Sequence, residues 1–407
     1  LKILLFTEIY DCGGIDTFII NLINNWPHSE DSFVLIANTD YPGLEVVEKN
    51  LSRRCEIIRH KALIYPNFMR KNLLQNTLRK LIFLIAPYLL IGYNVFALKK
   101  ILLTSNADAL MVINGGYPGG ETCRAAVVSW GIFSNKSYSV LNFHNLVVKP
   151  VWYVWLQEYI IDKIVVHFTS NFVTVSRAAK ESMVLRPQIF NKNITSYIHN
   201  GIEERESPPG PILNIKDEIG ISATAPLCIM LATYEPRKGH YFLFQAFKKV
   251  LKEIPDAHML ICGFGFPHEI NLVQKYVEEF ALGDNVHLMN FRTDLSHLMS
   301  YADILVVASQ AYESFGYTSV EAMAHHVPVV ATNVGGIPEV VVNGEGGYCV
   351  DSSDVDSYAQ CIINLLKNKN LRIEQGKRGY ERFRNNFTAE RMSRQYAELI
   401  HGPETRS

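Results

Sequence analysis

The stretch Glu313-Ser-Phe-Gly-Tyr-Thr-Ser-Val-Glu321, continued by Ala-Met-Ala-His-His, decides how the rest of the chain is read. The apolar run Ala302-Asp-Ile-Leu-Val-Val-Ala-Ser309 precedes it and reads as a buried parallel strand. The residues that follow predict a helix beginning near Gly316. A helix start offers N–H groups and the positive end of a dipole to an anion. Glu321 falls inside that helix, where it can meet a hydroxyl-rich group lying along the helix face. Glu313 stays on the loop, at the far end of the same ligand. Hydroxyls at both ends with phosphates between them describe a nucleotide sugar. Spacing alone leaves a blander reading open: a solvated glutamate on a loop and an ordinary helix glutamate.

The chain has 407 residues, 48% hydrophobic and 19% charged, which is more than one ordinary core and enough for two. A net charge of −1 gives no electrostatic case for a nucleic-acid partner. The seven cysteines (12, 55, 123, 228, 262, 349 and 361) are odd in number and never form C-x-x-C. Several fall in apolar strand-like runs, which suits free thiols in a reducing compartment. No secretory signal is visible from Leu1 onward, so a cytoplasmic protein is expected. The Asp-Val-Asp at 354–356 lies in a surface-like segment, so no metal and no resident cofactor are expected.

Leu1-Lys-Ile-Leu-Leu-Phe-Thr7 reads as a first strand, followed by Gly13-Gly14 and a helix with Phe18, Ile19, Leu22, Ile23 and Trp26 on one side. This is how a Rossmann-like unit begins, with Gly14 letting backbone approach a phosphate; a double glycine is also a routine strand-to-helix turn. Asp16 is either a first-turn partner of the helix dipole or an acceptor contact. Further strands are expected at 33–37, 107–113, 138–143 and 171–176, alternating with helical segments, which argues for an open parallel α/β sheet. Ligands then belong at the carboxyl ends of the strands, where His144 stands. Ser176 reads as a helix N-cap. The glycine-rich Asn114-Gly-Gly-Tyr-Pro-Gly-Gly-Glu121 is either an acceptor-facing loop, with Tyr117 at its centre, or loop geometry only. No Gly-Lys-Ser/Thr follows, so it is not a Walker A sequence.

Residues 51–100 differ from the rest, with ten Lys or Arg against one acid, Glu56. The cations flank an uncharged run from Leu81 to Leu98. One reading is a helical hairpin packed on the domain. The other is an interfacial patch in which Arg70, Lys71, Arg79, Lys80, Lys99 and Lys100 meet anionic headgroups. A membrane span fits poorly, because Pro87, Gly92, Tyr88, Tyr93 and Asn94 interrupt a run at the lower length limit.

The polar, proline-rich segment from Glu203 to Pro211 has the composition of a linker. A second α/β series starts at Leu227, and Tyr-Glu-Pro-Arg237-Lys238-Gly239 puts two cations beside a helix start, where they suit a diphosphate or are ordinary surface charges. Cys262-Gly-Phe-Gly lacks the third glycine of a dinucleotide fingerprint. Val286 to Phe291 is a further strand.

Glu313 and Glu321 together resemble the E-x7-E signature of the GT4-like retaining glycosyltransferases of the GT-B fold, a likeness strongest from 226 to 365. The resemblance implies two Rossmann-like domains with parallel sheets facing across a cleft: 1–203 for the acceptor, 204–385 for the nucleotide sugar, and 386–407 as a helix crossing back to the first. It implies that Glu313 and His144 face the reacting sugar. On the donor, Glu321 holds the ribose, the backbone amides of Tyr317 and Thr318 meet the distal phosphate with Ser314, Phe315 and Gly316 also donor-binding, Gly14 and Lys238 meet phosphate, and Phe291 with Arg292 lies against the base. The family usually carries Gly-Arg four or five residues before its Lys-Gly. Ala232-Thr233 stands here instead, leaving Arg237 as the cation that takes over. Asp16 and Tyr117 are acceptor-side candidates. The implied reaction moves a sugar from a UDP- or GDP-linked donor to a hydroxyl of a glycan or lipid-linked acceptor, without metal, beside the cytoplasmic membrane face. The alternative is an inactive, glycosyltransferase-like scaffold subunit.

Overall fold

Every residue from Ile3 to Phe6 and from Leu110 to Ile113 is shut away from water, as strands covered on both faces must be. These runs belong to a computed structural model that describes residues 1–10, 13–61, 76–136, 138–190, 195–204 and 214–402, without the side chains of 76–85 and 190. The chain divides into two compact units, 1–201 with 389–407, and 202–388.

In unit 1 the strands are β1 (Lys2–Thr7), β2 (Ser32–Asn38), β3 (Cys55–His60), β4 (Ala109–Asn114), β5 (Ser139–Phe143), β6 (Asn171–Thr174) and β7 (Thr195–Tyr197). They form one parallel sheet in the order β3-β2-β1-β4-β5-β6-β7. Unit 2 repeats the plan with β8 (Leu227–Leu231), β9 (His258–Gly263), β10 (Val286–Asn290), β11 (Ile304–Val307), β12 (Val329–Thr332) and β13 (Gly347–Val350), ordered β10-β9-β8-β11-β12-β13 and again parallel. Both are Rossmann-like. In each, the winding reverses between two central strands, β1 and β4 in unit 1 and β8 and β11 in unit 2. The loops leaving such a pair part in opposite directions and open a crevice at their carboxyl ends.

Most expected strands are present, with their ends displaced by no more than two residues from the expected ones. Ser176 caps its helix as expected, accepting from the N–H of Ala179 at 3.0 Å. Strand β3 had no clear apolar signature because it is an edge strand with only His60 buried.

Residues 76–104 form a single helix running through Pro87, not a hairpin. Ala86, Leu90, Asn94, Leu98 and Leu102, four residues apart, are all buried. That stripe packs the helix on its neighbour Glu121–Phe133, which a helix surrounded by lipid would not need. By length and composition its segment Ala86–Thr104 would suffice to cross a membrane. Arg70, Lys71, Cys12 and 205–211 of the expected linker lie outside the described residues, as do the side chains of Arg79 and Lys80. The six described cysteines are free thiols.

The last helix, Ala389–His401, belongs to unit 1 and buries Met392, Tyr396 and Ile400. Tyr396 meets the ring of Phe18 edge-on at 5.5 Å, and its hydroxyl accepts from Asn142 Nδ2 at 2.8 Å inside the core. Ser393 Oγ donates to the carbonyls of Asn21 and Leu22 at 3.3 and 3.2 Å, tying the helix to Gly14–Asn24. Tyr396→Phe leaves the Asn142 amide one partner short. Urea melts are expected to show a loss of about 1–3 kcal/mol, with the m-value unchanged.

Candidate functional site

The crevice of unit 2 holds the charged cluster. The loop after β8 makes a 3-10 turn, Pro236–Lys238, and ends in Gly239 at φ 76°. A Cβ at Gly239 would lie 1.9 Å from the carbonyl oxygen of Ala308, so only glycine lets this loop dock on the exit of β11. The N–H of Gln310 completes the docking by donating to the Arg237 carbonyl at 2.7 Å. Lys238 Nζ then stands 2.5 Å from Glu313 Oε2, and both side chains are more than four-fifths covered. Ser309 Oγ donates to the same carboxylate oxygen at 3.3 Å.

Arg237 lies 3.9 Å from Glu313 but is held chiefly by Glu235, at 2.5 Å through Nε. Its guanidinium also covers the Tyr312 ring at 5.0 Å. Burial alone would raise the Glu235 pKa, but the Arg237 guanidinium outweighs it and keeps the carboxyl below its usual range. Thr233 Oγ1 donates to Glu235 at 3.0 Å.

Behind Glu313, Gly335 (φ 58°) leaves room for its carbonyl, which accepts from the N–H of Gly336 at 2.8 Å. Gly316, at φ 93°, caps the helix Tyr317–Ala324, which puts the amides of Tyr317 and Thr318 in the first turn and Glu321 one turn further on, half-exposed. Ser314 is half-exposed. Phe315 is buried against Phe387, with ring centres 5.8 Å apart, so its side chain anchors the loop.

Phe291 follows β10 and is 66% exposed, an open aromatic face. Arg292 beside it is already committed. Its Nε and terminal nitrogens reach Asp294 at 2.9 and 2.5 Å and Glu218 at 2.7 Å, which uses up the guanidinium edges a base would need.

In unit 1, His144 follows β5, and its N–H donates to the Asn114 carbonyl at 2.9 Å. The ring stands edge-on to Phe18 at 4.3 Å, and its Nε2 is buried without a partner. Burial drops its pKa to about 3, so the imidazole is neutral at working pH. Gly14 opens the helix after β1 and is exposed.

Beside Arg292, two further expectations are corrected. Asp16 turns inward, accepting from the Gly13 N–H at 2.9 Å and from the Tyr41 hydroxyl; burial raises its pKa against those two bonds. It anchors the helix start, the first of its two sequence readings. Tyr117 is 1% exposed, and its hydroxyl donates to Asp162 at 2.7 Å beneath the Arg186 guanidinium, so it is a core residue and not an acceptor contact. Sequence reasoning missed Glu235, Ser309 and Tyr312. The first was legible only as part of the Tyr-Glu-Pro-Arg motif, and the others needed the docked loops.

Residues 212–382 match the family model described as Glycosyl transferases group 1. The chain is 31% identical over 211 residues, 52% of its own length, to the N-acetyl-alpha-D-glucosaminyl L-malate synthase of Bacillus anthracis, and spans only 54% of that protein. It thus matches about half the length of that curated relative. Similarity to the capsular polysaccharide biosynthesis glycosyltransferase CapM of Staphylococcus aureus is lower, 25%, but covers 72% of this chain and 77% of that one. Among solved structures, a glycosyltransferase of Rickettsia africae superposes with a TM-score of 0.79 at 19% identity, covering 100% of this chain and 99% of that one. Anabaena HepE in complex with UDP gives 0.73 at 17%, covering 98% and 100%. The shared fold is GT-B.

Two measurements follow from this geometry. Gly239→Ala must adopt a left-handed conformation and push into Ala308, so it is expected to lose more than about 1 kcal/mol of stability in a urea melt. Buried His60, His144 and His240 have pKa values lowered from 6.5 to about 4, 3 and 4. Between those values and 6.5 the unfolded chain binds protons that the folded chain refuses. Stability is therefore expected to fall as pH drops from about 6.5 towards 4, and His240→Leu to flatten that slope.

Proposed function

We propose that this chain is a GT4-like glycosyltransferase that transfers a sugar from a nucleoside-diphosphate sugar to a hydroxyl of a glycan or lipid-linked acceptor, with retention of anomeric configuration; the match of residues 212–382 to the Glycosyl transferases group 1 model supports this reading. The observation carrying this reading is the Lys238–Glu313 pair at the crevice of unit 2, with Arg237 beside it and the start of the helix Tyr317–Ala324 just beyond. UDP in the HepE neighbour supports a nucleotide-bearing donor.

The reading assigns one task to each group. The diphosphate takes up Lys238 and Arg237 and the first-turn amides at Tyr317 and Thr318, which offset the charge that grows on the leaving oxygen. Glu321 accepts from the ribose hydroxyls and Phe291 stacks on the base. Glu313, released from Lys238 as phosphate replaces it, turns its carboxylate to the sugar hydroxyls. His144, neutral and unprotonated at Nε2 or Nδ1, contacts the sugar without adding a positive charge near an oxocarbenium-like carbon. No carboxylate is required as base, because the departing phosphate oxygen takes the acceptor proton. The two cations and the helix start supply the electrostatic role that a metal has elsewhere, so turnover is expected to survive EDTA. Free thiols such as buried Cys123 and Cys228 suit action on the cytoplasmic side.

A thermal-shift panel of UDP, GDP, ADP and TDP tests the donor site. One diphosphate is expected to stabilise the chain, by about 2.7 kcal/mol at a hundredfold its dissociation constant, equally with EDTA or Mg²⁺. Glu321→Ala and Lys238→Ala should each lose most of that shift. If none of the four shifts the melt, the crevice is not a working donor site and the scaffold alternative replaces this reading.

A further inference from the structure

The segment that follows His144 in unit 1 presents an apolar surface that sugar transfer does not use. Trp152 is 88% exposed, and Val148, Val151, Tyr153, Trp155 and Leu156 beside it are each at least 50% exposed. The other two tryptophans, Trp26 and Trp130, are 5% and 1% exposed, which is the ordinary fate of so large an apolar ring. A contiguous exposed patch of this kind marks an interaction surface.

The start of the patch is pinned by hydrogen bonds. Val147 N–H donates to Ser182 Oγ at 2.9 Å and Val148 N–H to the Tyr117 carbonyl at 2.8 Å, while the Val148 carbonyl accepts from Arg186 Nε at 2.8 Å. The helix Trp155–Phe168 continues the exposed row through Ile160 and Ile164 and turns Ile161 and Val165 to the core.

The charges sort by sign. Both acids of this helix point inward: Glu158 pairs with Arg124 at 3.1 Å and Arg186 at 2.7 Å, and Asp162 pairs with Arg186 at 3.0 Å. The exposed charges from Val147 to Phe168 are the cations Lys149 and Lys163, with His167 at the far end. The helix Asn76–Thr104, in the same layer across Glu121–Phe133, exposes Leu89, Tyr93 and Phe96 beside Lys99 and Lys100.

We propose that this face, centred on Trp152 and Trp155, docks on the interfacial region of an anionic lipid bilayer. Tryptophan and tyrosine favour the headgroup level, the aliphatic side chains dip below it, and the lysines meet phosphate headgroups. A second copy of the chain is a poorer occupant, because a two-fold pairing of the patch would set its lysines against themselves. The patch begins at the carboxyl end of β5, the end where His144 stands. Docking there brings a lipid-anchored acceptor hydroxyl to that end of the sheet. Only this last use rests on the glycosyltransferase reading; the docking does not.

The test is co-sedimentation of the full chain, without donor, on phosphatidylcholine vesicles with and without phosphatidylglycerol. Binding to the anionic vesicles is expected to exceed that to the neutral ones by about tenfold and to weaken in high salt. Brominated lipid should quench the tryptophan emission. Trp152→Ser/Trp155→Ser removes only exposed side chains, so it should keep the wild-type melt and nucleotide shift while losing both vesicle binding and quenching. Failure to bind any vesicle, binding that the double variant leaves intact, or a dimer that it abolishes in light scattering would each overturn the proposal.

Discussion

The ion pair between Lys238 and Glu313 joins the two loops that diverge where the second sheet reverses its winding, and the charged cluster of unit 2 depends on it. Two adjacent cations, Arg237 and Lys238, project into partly dehydrated space and repel each other. They are tolerable because Glu235 and Glu313 answer them. Gly239 brings the cationic loop close and Gly335 makes room behind the acidic one. The carboxylate and the ammonium therefore meet through backbone geometry more than through side-chain reach. On the proposed reading, a diphosphate entering here would substitute for carboxylates already in place, adding little net charge to the site. That exchange is well suited to a step in which the same carboxylate must turn to a sugar hydroxyl.

Unit 1 treats its own reversal point differently. Asp16 and Tyr117 stand after β1 and β4, yet both are turned into the core and spent on hydrogen bonds. What remains at the strand ends is His144, whose ring leans on Phe18, which in turn meets Tyr396 of the last helix. The terminal helix thus sets the position of the histidine through two aromatic contacts. Because the ring is buried and one nitrogen has no partner, it stays neutral, a state fit to accept or donate one hydrogen bond without importing charge.

The parallel strands were legible in the sequence because strands buried on both faces leave unbroken apolar runs, as at Leu110–Ile113. The helix start at Gly316 was legible because the strand, glycine and helix periodicity agree there. The edge strand β3 was not, since half-covered strands lose that signature. The basic stretch before residue 100 drew attention as a membrane contact, while the more exposed Trp152 passed unremarked. In a sequence an aromatic run reads as core, and only the inward commitment of Glu158 and Asp162 reveals which face is left outside. Tyr117 erred the opposite way: glycines around it suggested a loose loop, but the loop folds onto Asp162 and Arg186.

The departure at Ala232-Thr233 shows why a motif read by position misleads where one read by geometry does not. The arginine that the resemblance expects there is absent, and a count of motif residues would score the site as damaged. In the folded loop, Thr233 instead donates to Glu235, and Glu235 orients Arg237 two residues later. The cation count beside Lys238 is thereby kept, with the charge delivered from the 3-10 turn next to it. Such relocation carries a consequence. An arginine held by an acid of its own loop is stiffer but partly neutralised, so its pull on a phosphate depends on how readily Glu235 lets go. On the proposed reading, phosphate affinity in this crevice would depend as much on the Thr233–Glu235 contact, which strengthens the acid's hold on its own loop, as on the arginine itself.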